Sequence, residues 1–224
     1  MQEFWSKYAH FYGWANDLEE KQRLFVADFL KEKEWDLLEF ACGNGKVIAN
    51  IREAGFGWNI LWVDYNSDMI SVAKSRLPDE SFLQGDILEA DTFLPKKEYD
   101  YVLCLNSLHN LPEKKMIFSF LETMIRYTKK GGYVIFDVRN SLNPWVNYGY
   151  YRNRKKWLQF HTLTPHFVKK LFQDDFECMV DTGITYTDKV NIKKFLKNPV
   201  YSTYLLLIRW KFFSPYRFFI FRKK

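Results

Sequence analysis

The sequence predicts an α/β chain: a doubly wound, mostly parallel seven-stranded sheet that ends in an antiparallel β hairpin. Three observations carry this expectation. Short apolar runs alternate with helical patterns between residues 35 and 139, which implies βαβ units with right-handed crossovers. The first run, WDLLEFA, passes through the small-residue turn CGNG straight into a helical pattern. Beyond Asn140 the alternation stops, and two strand patterns, FECMVDTGITY and YRFFIFRK, close the chain.

The elements follow in order. Residues 1–34 read as an N-terminal helical cap. WDLLEFA (35–41) is a buried strand and GKVIANIREAG the helix after it. NILWVD (59–64) is the second strand. Its helix, DMISVAKSRL, is opened by Asn66 or Ser67 as a cap and stopped by Pro78. SFLQGD (81–86) is the third strand and DYVLCLN (100–106) the fourth. PEKKMIFSFLETMIRYT is the next helix, with the turn KKGG (129–132) expected to end it before YVIFDVR (133–139), the fifth strand. Residues 141–163 form an aromatic and basic insert. TPHFVKKLFQDD is a helix capped by Thr164 with Pro165 in its first turn. The stretch VYSTYLLLIRWKFF, inside a second insert at 189–213, has a helical pattern. All of this is expected to be one domain, with 35–140 as its core.

Composition narrows the classes. Hydrophobic residues make up 47% of the 224, enough for a sizeable core, so disorder is excluded. Cys42, Cys104 and Cys178 are far apart, with neither metal-ligand spacing nor a disulfide framework, which fits a reducing compartment. The first twenty residues carry acids where a signal peptide has its apolar core, and no uncharged apolar stretch of about 18 residues suggests a membrane span. A cytoplasmic location is therefore expected. The net charge of +6 is uneven: residues 189–224 hold ten Lys/Arg and no acid, which leaves 23 Lys/Arg against 27 Asp/Glu elsewhere. That end reads as a solvated basic face, as a peripheral contact with anionic membrane, or, less favoured, as a nucleic-acid contact. Oligomeric state is not legible.

In a doubly wound sheet, ligands sit at the carboxyl ends of the strands, where strand order reverses. Gly43 and Gly45 let the backbone turn tightly there and let a ligand approach without a Cβ in the way. A dinucleotide fingerprint needs G-x-G-x-x-G, and the third glycine position is Ile48. A phosphate-cradling G-x-x-x-x-G-K-[ST] is absent. Asp64 lies nineteen residues beyond Gly45, suited to ribose hydroxyls. The turn alone does not separate a nicotinamide dinucleotide from another adenosine ligand.

Read with its acid, the turn is E-x-A-x-G-x-G: Glu39, Ala41, Gly43, Gly45. This resembles the first motif of class I S-adenosylmethionine-dependent methyltransferases, [D/E]-x-G-x-G-x-G, with alanine in place of the first glycine. VDYNSDMISVAKSRL resembles that family's second motif, FLQGDIL the third and EYDYVLCLNSLHNL the fourth. RYTKKGGYVIFD resembles the turn before strand five, and KYAHFYGWAND the aromatic lead-in. The likeness covers about residues 8–140, in order and in spacing. It implies the Rossmann-like class I methyltransferase fold, S-adenosylmethionine as cofactor, no metal, and direct in-line methyl transfer to a small-molecule or lipid-like acceptor. It implies Glu39 toward the cationic amino-acid end, Asp64 on the ribose, and Asp86 on the adenine amino group, with Ile87 and Tyr65 covering the ring. Tyr12 would close over the methionine end, and Asn106 would stand where the methyl group emerges. His109 is the candidate general base, and His161, in QFHTLTP, a second candidate; the plain alternative for such a histidine is to satisfy a loop carbonyl. The lack of [D/N]-P-P-[Y/F] at Asn106-Ser107-Leu108-His109 argues against base-amine or glutamine acceptors. Two rivals remain: an NAD-dependent oxidoreductase, and a degenerate methyltransferase fold, motivated by Ala41, that serves as a binding or RNA-contacting module.

Overall fold

The computed structural model of the chain describes residues 17–31, 35–55, 59–153, 161–184 and 211–224. Helix α1 (Asp17–Leu30) leads into strand β1 (Leu37–Phe40), helix α2 (Lys46–Glu53), β2 (Ile60–Asp64), α3 (Ser67–Arg76) and β3 (Ser81–Gln84). A short helix, α4 (Ala90–Phe93), precedes β4 (Tyr99–Cys104), followed by α5 (Lys114–Arg126) and β5 (Thr128–Arg139). Then come α6 (Pro144–Asn153), α7 (Pro165–Phe172), β6 (Phe176–Ile184) and β7 (Tyr216–Lys223). The sheet has seven strands in the order β3-β2-β1-β4-β5-β7-β6, parallel from β3 to β5, with β7 antiparallel to both neighbours. Strand order reverses between β1 and β4, so the carboxyl ends of β1, β2 and β4 frame a crevice. No helix among the described residues is long and apolar enough to cross a membrane.

Continuous apolar strands are what a sheet covered on both faces requires. One face packs Phe40, Val102, Phe136 and Phe219 under Phe120 and Leu121 of α5 and Phe172 of α7. The other packs Trp62, Leu103, Ile135 and Phe218 under Val26 and Leu30 of α1, Ile51 of α2 and Ala73 of α3. In β7 the alternation is literal: Phe218 and Ile220 face one layer, Phe219 and Phe221 the other. The Phe172 and Phe221 rings stack at 4.3 Å, so α7 is pinned to the sheet by aromatic faces.

The local signals read from sequence are present. Asn66 caps α3 by accepting from the amides of Asp68 and Met69, and Thr164 caps α7 from Phe167 N at 3.1 Å. One expectation is corrected. Lys129–Gly132 does not end the preceding helix, which stops at Arg126; the segment lies inside β5. Pairing with β4 jumps from Tyr99–Thr128 to Tyr101–Tyr133, a bulge that Gly131 permits at φ 78°. Within the 141–163 insert, to which the sequence assigned no element, Pro144–Asn153 form α6. Of the helical pattern in VYSTYLLLIRWKFF, only 211–213 are described, as a 3₁₀ turn.

Much of the basic C-terminal end that is described serves the fold. Arg217 pairs with Asp181 across β6 and β7. Lys223 Nζ caps the carbonyls of Ile125 and Thr128, and Lys224 Nζ those of Gln173 and Asp174.

Two buried asparagines tie the chain after β5 to the chain before β7. Asn140 Nδ2 donates to the carbonyls of Phe212 and Ser214 at 2.8 and 2.9 Å, and Oδ1 accepts from Leu142 N. Asn143 Nδ2 donates to Phe213 O at 2.6 Å. Asn140→Ala strands buried carbonyls, and is expected to lower unfolding free energy by about 2–3 kcal/mol in urea titration, whereas exposed Lys96→Ala changes it by under about 0.5 kcal/mol.

Candidate functional site

The turn after β1 is built from left-handed backbone. Ala41, Gly43 and Gly45 have φ of 56°, 56° and 79°. This reverses the chain while aiming the Gly43 amide sideways at the tip of β2, where it donates to Asp64 Oδ2 at 2.8 Å. Asp64 Oδ1 accepts from Asn66 N at 2.8 Å, and Cys42 N donates to Val63 O at 3.1 Å. One carboxylate therefore fastens the two strand tips together. A Cβ at Gly43 would meet nothing within 4 Å, so that side of the turn is open. Alanine at 41 adopts the same left-handed conformation that the family's glycine would adopt freely.

A cavity of about 480 Å³ opens over these tips. Of the residues expected from sequence, Glu39, Ala41, Gly43, Asp64, Tyr65, Asp86, Ile87 and Asn106 line it. Gly45 does not; it caps α2 one step behind. Tyr12 lies outside the described residues. Tyr65 is half exposed and Ile87 buried. Asp86 Oδ1 accepts from Leu88 N at 2.9 Å, capping the turn Ile87–Glu89, and Oδ2 makes no hydrogen bond among the described residues.

Glu39 is 1% exposed and its Oε2 has no hydrogen-bond partner among the described residues. Burial pushes its carboxyl well above the ordinary range, Asp64 pushes it further, and Arg23 of α1 opposes both. Arg23 is itself buried, lines the cavity, and has an Nε without a partner. Its neighbour Gln22 is fully buried and accepts from Asn106 Nδ2 at 2.8 Å. Sequence reading left both residues inside a generic cap. The signal was there: Gln22, Val26 and Leu30, like Arg23, Ala27 and Leu30, share the helix face that packs on the sheet. Polar residues on such a stripe point inward.

The two candidate histidines, His109 and His161, both engage partners other than a ligand. Neither lines the cavity. His109 is buried, and its Nε2 lies 3.2 Å from Arg139 Nη2. A guanidinium can only donate, so Nε2 accepts and its lone pair is spent. Burial first, then Arg139, hold the ring well below its ordinary pKa, hence neutral. His161 Nε2 lies 3.2 Å from Pro112 O, and its backbone amide donates to His109 O. Its ring satisfies a loop carbonyl.

The remaining polar group is Asp137, buried beside Asn106. Its Oδ1 accepts from Asn106 N at 2.6 Å. Burial raises its pKa, opposed by Arg139, by Asn106 N and by the Gln22 amide, although Gln22 Nε2 stays beyond hydrogen-bond distance.

Comparison with known proteins fits this architecture. Residues 37–132 match the family model described as a methyltransferase domain. A malonyl-[acyl-carrier protein] O-methyltransferase of Ilyobacter polytropus is 25% identical over 118 residues, 53% of this chain and 44% of the relative. A demethylmenaquinone methyltransferase of Bacillus subtilis is 30% identical over 102 residues, 44% of this chain and 42% of the relative. The matches thus span less than half of these relatives' lengths. Among solved structures, a magnesium protoporphyrin IX methyltransferase from Synechocystis with bound SAH superposes with a TM-score of 0.65 at 14% identity, over 95% of this chain and 90% of that one.

Two outcomes are expected from this turn and its buried acids. The fold favours the protonated form of Glu39, so ligand-free protein loses stability as pH rises from the ordinary carboxylate range toward the raised folded value. Urea titrations at several pH values should show that fall, and Glu39→Gln should flatten it, leaving a residual slope from Asp64 and Asp137, whose carboxyls burial also raises. Ala41→Gly relieves about 1–2 kcal/mol of left-handed strain against about 0.4–1 kcal/mol of added chain entropy. A net gain of up to about 1.6 kcal/mol is expected in thermal unfolding.

Proposed function

We propose that this chain, which carries a methyltransferase domain over residues 37–132 in the class I methyltransferase fold, binds S-adenosylmethionine in the cavity and passes its methyl group to a small-molecule or lipid-like acceptor. The observation that carries the reading is the Glu39–Arg23 pair. A buried acceptor oxygen and a buried donor nitrogen, both without hydrogen-bond partners among the described residues, belong to residues that line one cavity. An amino-acid zwitterion brings an ammonium for the one and a carboxylate for the other. A nicotinamide dinucleotide brings neither, and Ile48 occupies the position where its fingerprint needs glycine.

The other residues fit the remaining parts of the cofactor. Asp64 keeps a lone pair on each oxygen for ribose hydroxyls after accepting from Gly43 and Asn66. Ile87 gives an apolar face for a purine and Asp86 Oδ2 an acceptor for its amino group. Leu111, Met116 and Phe120 extend the apolar lining and exclude water. S-adenosylmethionine supplies a methyl carbon on a positively charged sulfur, and the bonding electrons depart with sulfur. The protein's task is then to hold the attacking atom in line. An acceptor of small or lipid-like type is supported by the loop Asn106-Ser107-Leu108-His109, which lacks the prolines of amide and base-amine methyltransferases.

Adenosylhomocysteine at about 100 times its Kd is expected to add about 2.7 kcal/mol of stability, read as a raised unfolding midpoint, with no comparable effect from NAD. Arg23→Met should weaken adenosylhomocysteine about tenfold or more by calorimetry, through loss of a charge-assisted contact of about 1.5–3 kcal/mol. Stabilisation by NAD alone would sink the reading.

A further inference from the structure

We infer that the exposed face of α6, with Phe212 beside it, is a docking surface for an anionic lipid membrane. The inference goes beyond the methyltransferase reading and stands without it. Joined to that reading, it names where a lipid-like acceptor is held: in the bilayer against which the site end of the sheet rests.

A partition of charge points to this surface. Residues 138–173 carry seven Lys/Arg and residues 189–224 carry ten, and neither stretch contains an Asp or Glu. Seventeen of the 33 Lys/Arg thus lie where there is no acid, and the other 16 share the rest of the chain with all 27 Asp/Glu. The fold brings the two acid-free stretches together. β5 pairs with β7 as far as Arg139 and Tyr216. Just beyond, Asn140 and Asn143 hold the carbonyls of Phe212, Phe213 and Ser214. The junction stands at the carboxyl end of β5. Because β5 is parallel to β4, this is also the end of the sheet over which the cavity opens.

What α6 exposes at this junction is aromatic. Tyr148 and Tyr151 are 51% and 60% exposed, and Arg152 is exposed. Spaced by three and four residues, they share one helix face. The Arg152 guanidinium lies 5.9 Å over the Tyr148 ring. Phe212, its carbonyl held by Asn140, is 52% exposed. Rings with polar tips beside a cation are the composition of an interfacial helix: the rings sit at headgroup level while the cation meets lipid phosphate. The acid-free stretches supply the attraction to a negative surface, and the acid-rich remainder gains nothing from it. That difference favours contact through α6 rather than through any other side.

A nucleic-acid strand asks for something else, a track of basic side chains along its backbone. Of the exposed side chains described on this face, three are rings and one, Arg152, is a base. That proportion suits insertion between headgroups.

The test is vesicle sedimentation of the full chain without added ligand. Vesicles of phosphatidylcholine with about 30% phosphatidylglycerol should bind it at least about tenfold more strongly than phosphatidylcholine alone, and binding should fall as salt rises from about 0.1 to about 0.5 M. Combining Tyr148→Ser, Tyr151→Ser and Phe212→Ser should weaken binding to the anionic vesicles at least about tenfold. Arg152→Glu, which disturbs no packing, should weaken it at least about fivefold. Trp35→Ser, at a side chain 52% exposed but outside the acid-free stretches, should leave it within about twofold. Urea midpoints like that of the natural protein show that the variants fold. Equal binding to neutral vesicles would overturn the inference, as would full binding by both the triple variant and Arg152→Glu, since another surface would then make the contact. A gel shift with single-stranded RNA, abolished by the same variants in a chain that stays off the vesicles, would overturn it in favour of a nucleic-acid contact. A chain that bound adenosylhomocysteine but not anionic vesicles would overturn this inference and leave the methyltransferase reading standing.

Discussion

The Asp64 carboxylate is the piece on which the site depends. Parallel strands splay at their carboxyl ends, where no ladder partner remains for the last amides. Asp64 answers this by accepting from Gly43 N and Asn66 N, one oxygen for each, and so joins the β1 turn to the start of α3. The geometry works only if the Gly43 amide points across the gap. That in turn needs three left-handed residues in five, Ala41, Gly43 and Gly45. The glycine turn and the acid at the tip of β2 are thus one device, though twenty-one residues separate Gly43 from Asp64.

The two ends of the sheet are treated differently. At the amino ends of β1 and β4 the charges are closed on one another. Asp36 pairs with Lys97 at 2.8 Å, and Asp100 pairs with Lys129 at 2.8 Å while accepting from Asp36 N. Lys97 and Lys129 hold the Asp36 carboxyl below its usual range. At the carboxyl ends, Glu39, Arg23 and Asn106 all carry buried atoms left open. Native proteins rarely leave such groups unpaired. Here three of them face one cavity, and two left-handed non-glycine residues stand among them. Open polar atoms on three cavity-lining residues, with satisfied polar groups at the opposite end of the same strands, are what an end that meets a ligand would show.

How far the sequence spoke follows from the range of each signal. Strands buried on both faces need near-continuous apolar runs, so β1, β2, β4, β5 and β7 were legible. Caps are local, so Asn66 and Thr164 were legible as well. The acid at Asp64 was legible because a strand end fixes where it must point. The bulge at Gly131 was not, because two glycines after lysines look the same whether a turn ends a helix or kinks a strand. Gln22 and Arg23 went unread for a different reason. Their place on the buried stripe of α1 is visible from spacing, but their meaning is not: it depends on β1 and β4 lying under that stripe, which no window of sequence contains.

His109 shows the limit of inference from residue type. A histidine just after β4 invites the role of a base, yet its environment removes every property that role needs. Arg139 lies 3.6 Å over the Tyr216 ring, which fixes its guanidinium before it reaches the imidazole. A fixed cation beside a buried ring keeps that ring neutral and occupies its free lone pair. What remains is a rigid wedge between the end of β5 and the loop after β4. Where the electrophile arrives already activated, as the proposed cofactor does, chemistry asks the protein for alignment rather than for a base. The position after β4 is then free to be spent on rigidity.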